Sequence, residues 1–156
     1  MAKKHEIIEP PNKLSDRVSK GGPNPMDAIA KAEAKLQEMA KDYGQWLEND
    51  LEQVYAALAK ARAGGAERAA HVKALHGAAF NIKGQAGTFG KPLLSRISKS
   101  LCKLIEERAE FTDEDLTVAA THVDALKAAA AGQYPDKLGE QVAMGLEGIV
   151  SKRLTA

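Results

Sequence analysis

Residues 79–90 read Ala-Phe-Asn-Ile-Lys-Gly-Gln-Ala-Gly-Thr-Phe-Gly. Traced back to Leu75, the apolar positions Leu75, Ala79, Ile82, Ala86 and Phe89 recur at steps of four, three, four and three. That is the period of an α-helix with one buried stripe. Gly90 then supplies a C-terminal stop, and Pro92 suits the first turn of a following helix. At about 100° per residue, Phe80 falls roughly 140° from the centre of the stripe. A large aromatic thus stands on the solvent-facing side. Gly84 and Lys73 lie nearly opposite the core, flanked by Gly87, His76 and Lys83.

The same period extends in both directions. Upstream, Asn24-Pro25 reads as a helix start, with Asn as cap, Pro at the first helical position and Asp27 in the first turn. Ile29, Leu36, Ala40, Tyr43, Leu47, Val54 and Leu58 keep one face apolar as far as about Ala63. Gly44 sits within that run as a kink or a break into two helices. Trp46, close by, reads as a core residue or an anchor for the N-terminal arm. Gly64-Gly65 closes the segment, and so short a turn makes its two helices antiparallel neighbours. The second helix spans about Ala66 to Phe89.

Downstream, a third helix buries Leu94, Ile97, Leu101 and Leu104 and ends near Arg108. Thr112 and Asp115 form a capping-box pattern, with Asp in place of the usual Glu or Gln. It opens a fourth helix on Leu116, Ala119, Val123 and Leu126, closed by Gly132. The acidic run Asp113-Glu114-Asp115 suits the positive end of that helix dipole. Asp136 is expected to cap a last helix burying Leu138, Val142, Leu146 and Ile149. Strand-like alternation and internal repeats are absent. The pattern predicts an all-α, up-and-down antiparallel four-helix bundle with an additional C-terminal helix. Residues 1–24, with Pro10-Pro11, Gly21-Gly22 and Pro23, read as an extended N-terminal arm, and residues 25–156 as the bundle domain. Ile7, Ile8, Leu14 and Val18 are the arm's candidate docking residues; a partner-binding tail is the alternative.

Bulk composition narrows the function classes. The chain has 156 residues, 44% hydrophobic and 28% charged, with a formal net charge of +1. That length supports a real core without staples. The charge balance argues against bulk nucleic-acid binding and against electrostatic membrane association. No apolar run reaches the roughly 18 residues of a membrane span, and the N-terminus lacks a signal-peptide core. Cys102, the single cysteine, has no internal disulfide partner. The expected location is the cytoplasm.

The exposed face of the second helix carries the chemistry. Each glycine inside a helix costs about 1 kcal/mol relative to alanine. Gly84 and Gly87 on a solvent face therefore imply a gain elsewhere, and close approach by a partner is the physical candidate. Lys83 beside that gap suits an anionic group such as a phosphoryl or carboxylate. The competing reading has the glycines admitting a neighbouring helix or the arm, with Phe80 covered.

Phe80-Asn-Ile-Lys-Gly-Gln-Ala-Gly-Thr-Phe-Gly90 resembles the signature of histidine-containing phosphotransfer (Hpt) domains, His-x-hydrophobic-Lys-Gly with a further Gly six residues on. It is especially similar to the phospho-accepting first domain of chemotaxis histidine kinases. Ile82, Lys83, Gly84 and Gly90 match the pattern; Pro92-Leu93-Leu94 and Leu101-Cys102-Lys103-Leu104-Ile105-Glu106 resemble the helix that follows. His122-Val-Asp-Ala-Leu126 looks similar to later parts of the alphaproteobacterial branch. The resemblance covers about residues 25–150. It implies a phosphorelay partner, either a response-regulator receiver domain or a histidine kinase, and no cofactor. In the family, the residue two before Ile82 is the phospho-accepting histidine. Here it is Phe80, which has no nucleophilic nitrogen, so the resemblance implies a pseudo-Hpt protein whose docking surface comprises Lys73, His76, Phe80, Lys83, Gly84 and Gly87.

Two other readings stay open. Transfer persists through His76, one turn from Phe80 and about 6 Å along the axis, or Phe80 is an engineered replacement in an otherwise active phosphotransferase. Alternatively, the Phe80 patch makes a homodimer, although a monomer is the simpler state. A solvated His76 is the bland expectation. His71 and His76 splay by roughly 140° and do not pair as metal ligands, and His5 and His122 lack ligand partners at useful spacing. Cys102 reads as a packing residue, and the Gly-Gly pairs follow no strand, so no nucleotide loop is implied.

Overall fold

A computed structural model describes residue 22 and residues 24–156. The expected arm over residues 1–24, with His5, Ile7, Ile8, Leu14 and Val18, otherwise lies outside the described residues. Five helices follow one another: α1 (Pro25–Ala63), α2 (Arg68–Thr88), α3 (Pro92–Glu106), α4 (Asp113–Ala130) and α5 (Asp136–Thr155). No strand occurs among the described residues, and the all-α class stands. The chain divides between Glu38 and Met39 into two compact units.

α1 begins as its sequence dictates: Met26 N–H donates to Asn24 Oδ1 at 3.1 Å, and Pro25 takes a position whose N–H has no helical partner anyway. The helix runs through Gly44 without a break. The helix-propensity cost of about 1 kcal/mol is small beside the burial of Tyr43 and Leu47 on either side. The apolar face does not stay buried along its whole length. Tyr43, Leu47, Val54 and Leu58 are core, but Ile29 and Leu36 are 53% and 48% exposed, and Ala40 is exposed too. Ile29 and Leu36 precede Met39, where the second unit begins, and the core of that unit draws on α1 only from Tyr43 onward.

In Met39–Ala156, one core draws on all five helices, from Tyr43 and Val54 through Leu75, Ile82, Ile97, Leu101, Val123 and Leu126 to Leu146. α2 packs on α3, α3 on α4 and α5, and α4 on α5. The stripe that defined α2 is buried from Leu75 to Ala86. Phe89 at its end stacks on Tyr43, ring centroids 4.7 Å apart, with Trp46 edge-on at 6.2 Å. Trp46 is thus a half-buried core partner. Gly90 (φ +68°) and Gly132 (φ +70°) close α2 and α4 with left-handed caps. Lys91 N–H reaches back to the Ala86 carbonyl at 2.8 Å, and Gln133 N–H to that of Ala128 at 3.0 Å, as in a Schellman stop.

The capping box forms as predicted. Asp115 N–H donates to Thr112 Oγ1 at 3.3 Å, and Thr112 N–H donates to Asp115 Oδ2 at 2.9 Å. Asp115 also does what the local pattern does not reveal. Its wholly buried carboxylate accepts from Arg108 Nε at 3.2 Å and Arg153 Nε at 2.6 Å, joining the start of α4 to the end of α5. Burial alone would raise its pKa; the Thr112 N–H and the Arg153 guanidinium prevail and hold it below the usual carboxylate value.

α5 departs from its reading in two ways. Pro135 stands at the N-cap and no side chain caps the helix, so Asp136 serves in the first turn and not as cap. The buried face is Gly139, Ala143, Leu146 and Val150, while Leu138 and Ile149 are 44% and 43% exposed. Small residues face inward because α5 lies close on α3: a β-carbon at Gly139 would come within 2.8 Å of Leu93 Cδ2. A search for large apolar residues finds the neighbouring stripe instead.

Candidate functional site

The solvent face of α2 carries its aromatic in the open. Phe80 is 50% exposed. Lys83, one position less than a turn ahead, lays its Nζ over the ring at 4.1 Å from the centroid. His76, one turn behind, places its imidazole 6.0 Å from the same ring at 34°. The helical period thus brings His76, Phe80 and Lys83 into a single stack, with the cation–π contact contributing about 0.5–1 kcal/mol at an exposed site.

The two glycines differ. Above Gly84 lies open space, with nothing within 4 Å of a built β-carbon. At Gly87 a β-carbon would meet Ser95 Oγ of α3 at 3.6 Å, an ordinary contact. Ser95 is engaged, donating to the Lys83 carbonyl at 2.9 Å. Among the described residues neither glycine is demanded by packing, and Gly84 leaves the freer approach. Gly77, three residues before Phe80, is likewise exposed with nothing within 4 Å. Its helical position was readable, but it precedes the quoted motif.

His76 is not simply solvated. Its Nε2 lies 2.7 Å from Glu106 Oε1 of α3. A carboxylate only accepts, so Nε2 carries the proton in this pair. Glu106 stands 30 residues away in sequence, and no local signal links the two. Lys73 lines, with His76, a cleft of about 610 Å³ between α2 and the end of α3.

The remaining chemistry-bearing residues are structural. His122 is fully buried: Nδ1 lies 2.9 Å from the Val118 carbonyl and Nε2 3.0 Å from Ser100 Oγ. The carbonyl requires a proton on Nδ1, so Nε2 accepts from the Ser100 hydroxyl. Burial lowers the His122 pKa and keeps the ring neutral, with the Val118 carbonyl pulling the other way. Cys102 is 2% exposed, and burial pushes its thiol up to about 11. Among the described residues no three His, Cys, Asp or Glu side chains gather as metal ligands, and no described helix is long and apolar enough to cross a membrane.

Comparison of the chain with protein-family models, with curated proteins and with solved structures finds no match.

Proposed function

We propose that this chain is a pseudo-Hpt protein: an up-and-down helical bundle, with α5 as the additional helix, that docks a response-regulator receiver domain or a histidine kinase through the α2 face and accepts no phosphate at position 80. The observation that carries the reading is Phe80 itself, half exposed on a face with Lys83 over its ring and open space above Gly84. An apolar anchor, a neighbouring cation and an unobstructed helix surface are what a partner with an acidic pocket needs. Burying an aromatic at the centre of an interface is a common source of binding energy, and the lysines steer the encounter. The benzyl ring offers no lone pair to a phosphoryl group.

The test is surface plasmon resonance of receiver domains and kinase domains over the immobilised full chain, which reads both affinity and rates. Phe80→Ala is expected to weaken the complex by about 2 kcal/mol or more, and Lys83→Ala to slow association more than it speeds dissociation. Binding that is indifferent to both changes refutes the docking face.

A second reading rests on the His76–Glu106 pair. With Nε2–H held by the carboxylate at 2.7 Å, Nδ1 keeps its lone pair, and a fixed imidazole is the usual form of a positioned nucleophile. In that case label from a phosphorylated receiver appears on the chain and disappears in His76→Ala. A partner docked for position 80 would have to shift by about one helical turn, about 6 Å along the axis, which places this reading second.

A further inference from the structure

The cleft beside α2 has a lining of two kinds. Its apolar wall consists of Ala69 and Val72 of α2, Ile105 of α3 and Phe111 of the loop before α4. Val72 is buried, and Ile105 and Phe111 pack against the core, so this wall is continuous with the interior. Its volume of about 610 Å³ falls within the range of small-molecule sites.

The charges around it are unevenly spent. Glu106 is held by His76 at 2.7 Å. Arg108 is committed to Asp115 at 3.2 Å. Arg68 pairs at 2.8 Å with Asp113, whose side chain is 84% exposed, a contact that solvent screens strongly. Lys73 has no carboxylate partner among the described residues, and its ammonium is available to a ligand. Glu110, also in the lining, is the opposing charge without an ion-pair partner among the described residues.

We infer that this cleft binds a small amphipathic anion, its apolar body against Val72, Ile105 and Phe111 and its acid group toward Lys73 and Arg68. The inference stands on the cleft alone and does not require the docking reading. Because Lys73 and His76 belong to both the cleft and the α2 face, an occupied cleft also competes with a partner docked there.

The probe is 8-anilinonaphthalene-1-sulfonate, titrated into the full-length protein and followed by fluorescence. Its uncharged counterpart N-phenyl-1-naphthylamine shares the aromatic frame without the sulfonate. One saturable site is expected, with a Kd on the order of tens of micromolar and about tenfold weaker binding of the uncharged probe. Lys73→Glu should weaken the sulfonate about tenfold and leave the uncharged probe unchanged. Ala69→Phe, an exposed position whose ring would fill the cleft, should abolish both. Cooperative thermal melts of each variant establish that the fold persists. No saturable binding, binding that survives Ala69→Phe in a folded variant, or equal affinity for the two probes overturns the inference.

Discussion

Replacing Asp115 with Asn probes the least local tie in the fold. The carboxylate is fully buried and accepts from Thr112 N–H, Thr112 Oγ1, Arg108 Nε and Arg153 Nε at 2.9, 3.0, 3.2 and 2.6 Å. Breaking a buried ion pair by removing one partner costs about 3–5 kcal/mol. Two features reduce that here. Arg108 and Arg153 keep side-chain exposures of 24% and 21%, so both can partly rehydrate, and Arg153 retains Glu114 at 2.5 Å. The amide also keeps one acceptor for the cap. A loss of about 2–3 kcal/mol follows, or roughly 6–10 °C in Tm for a chain of this size.

Urea denaturation followed by helical circular dichroism measures it directly. The sign of the pH dependence is fixed by the lowered folded-state pKa. The carboxylate's contribution is present above its ordinary value of 3.8 and disappears as pH falls through the lower folded-state value. The gap between parent and variant should therefore be full at neutral pH and narrow in acid below that value. A loss under about 0.5 kcal/mol at neutral pH, or a gap that does not narrow in acid, refutes the reasoning.

Other consequences are equally concrete. Gly84→Ala should stabilise the chain by about 0.5–1 kcal/mol in denaturant titrations, since α2 has room there, while weakening receiver binding. Ser100→Ala leaves His122 Nε2 buried and unpartnered, and should cost about 1–2 kcal/mol by the same measurement. His122, with its folded pKa lowered, supports the fold above its ordinary value of 6.5. That support falls away as the pH drops below 6.5 toward the folded-state value, a fall that His122→Leu should remove. Cys102, with its thiol near 11, should react with Ellman's reagent at pH 8 at least about a hundredfold more slowly in the folded protein than in urea. A rate matching a free thiol would contradict its burial.

Periodicity made the helices legible because a repeat of large apolar residues is a direct image of a buried stripe. Leu75–Ala86, Leu94–Leu104 and Leu116–Leu126 were all readable in this way. It misled where burial is decided by something other than side-chain size. In α5 the close approach of Gly139 to Leu93 turns small residues inward, and in α1 Ile29 and Leu36 keep the helical period without being buried. Pairings between distant residues left no trace in the sequence. The capping box at Thr112 was visible because it spans three positions, whereas Arg153 reaches the same carboxylate from 38 residues away. The candidate face shows the same division. Phe80, Lys83 and Gly84 followed from helical angle, while Glu106 opposite His76, and the cleft that Lys73 lines, depend on how α3 is placed.

The central claim is docking without phosphoryl acceptance, and one experiment reads both parts. Purified chain is incubated with a panel of receiver domains carrying radiolabelled aspartyl phosphate, captured under native conditions, and then separated and counted. The account predicts that at least one receiver is retained while no acid-labile label reaches the chain, and that Phe80→His acquires the label. Label on the parent chain, or failure of every receiver domain to be retained, would contradict it.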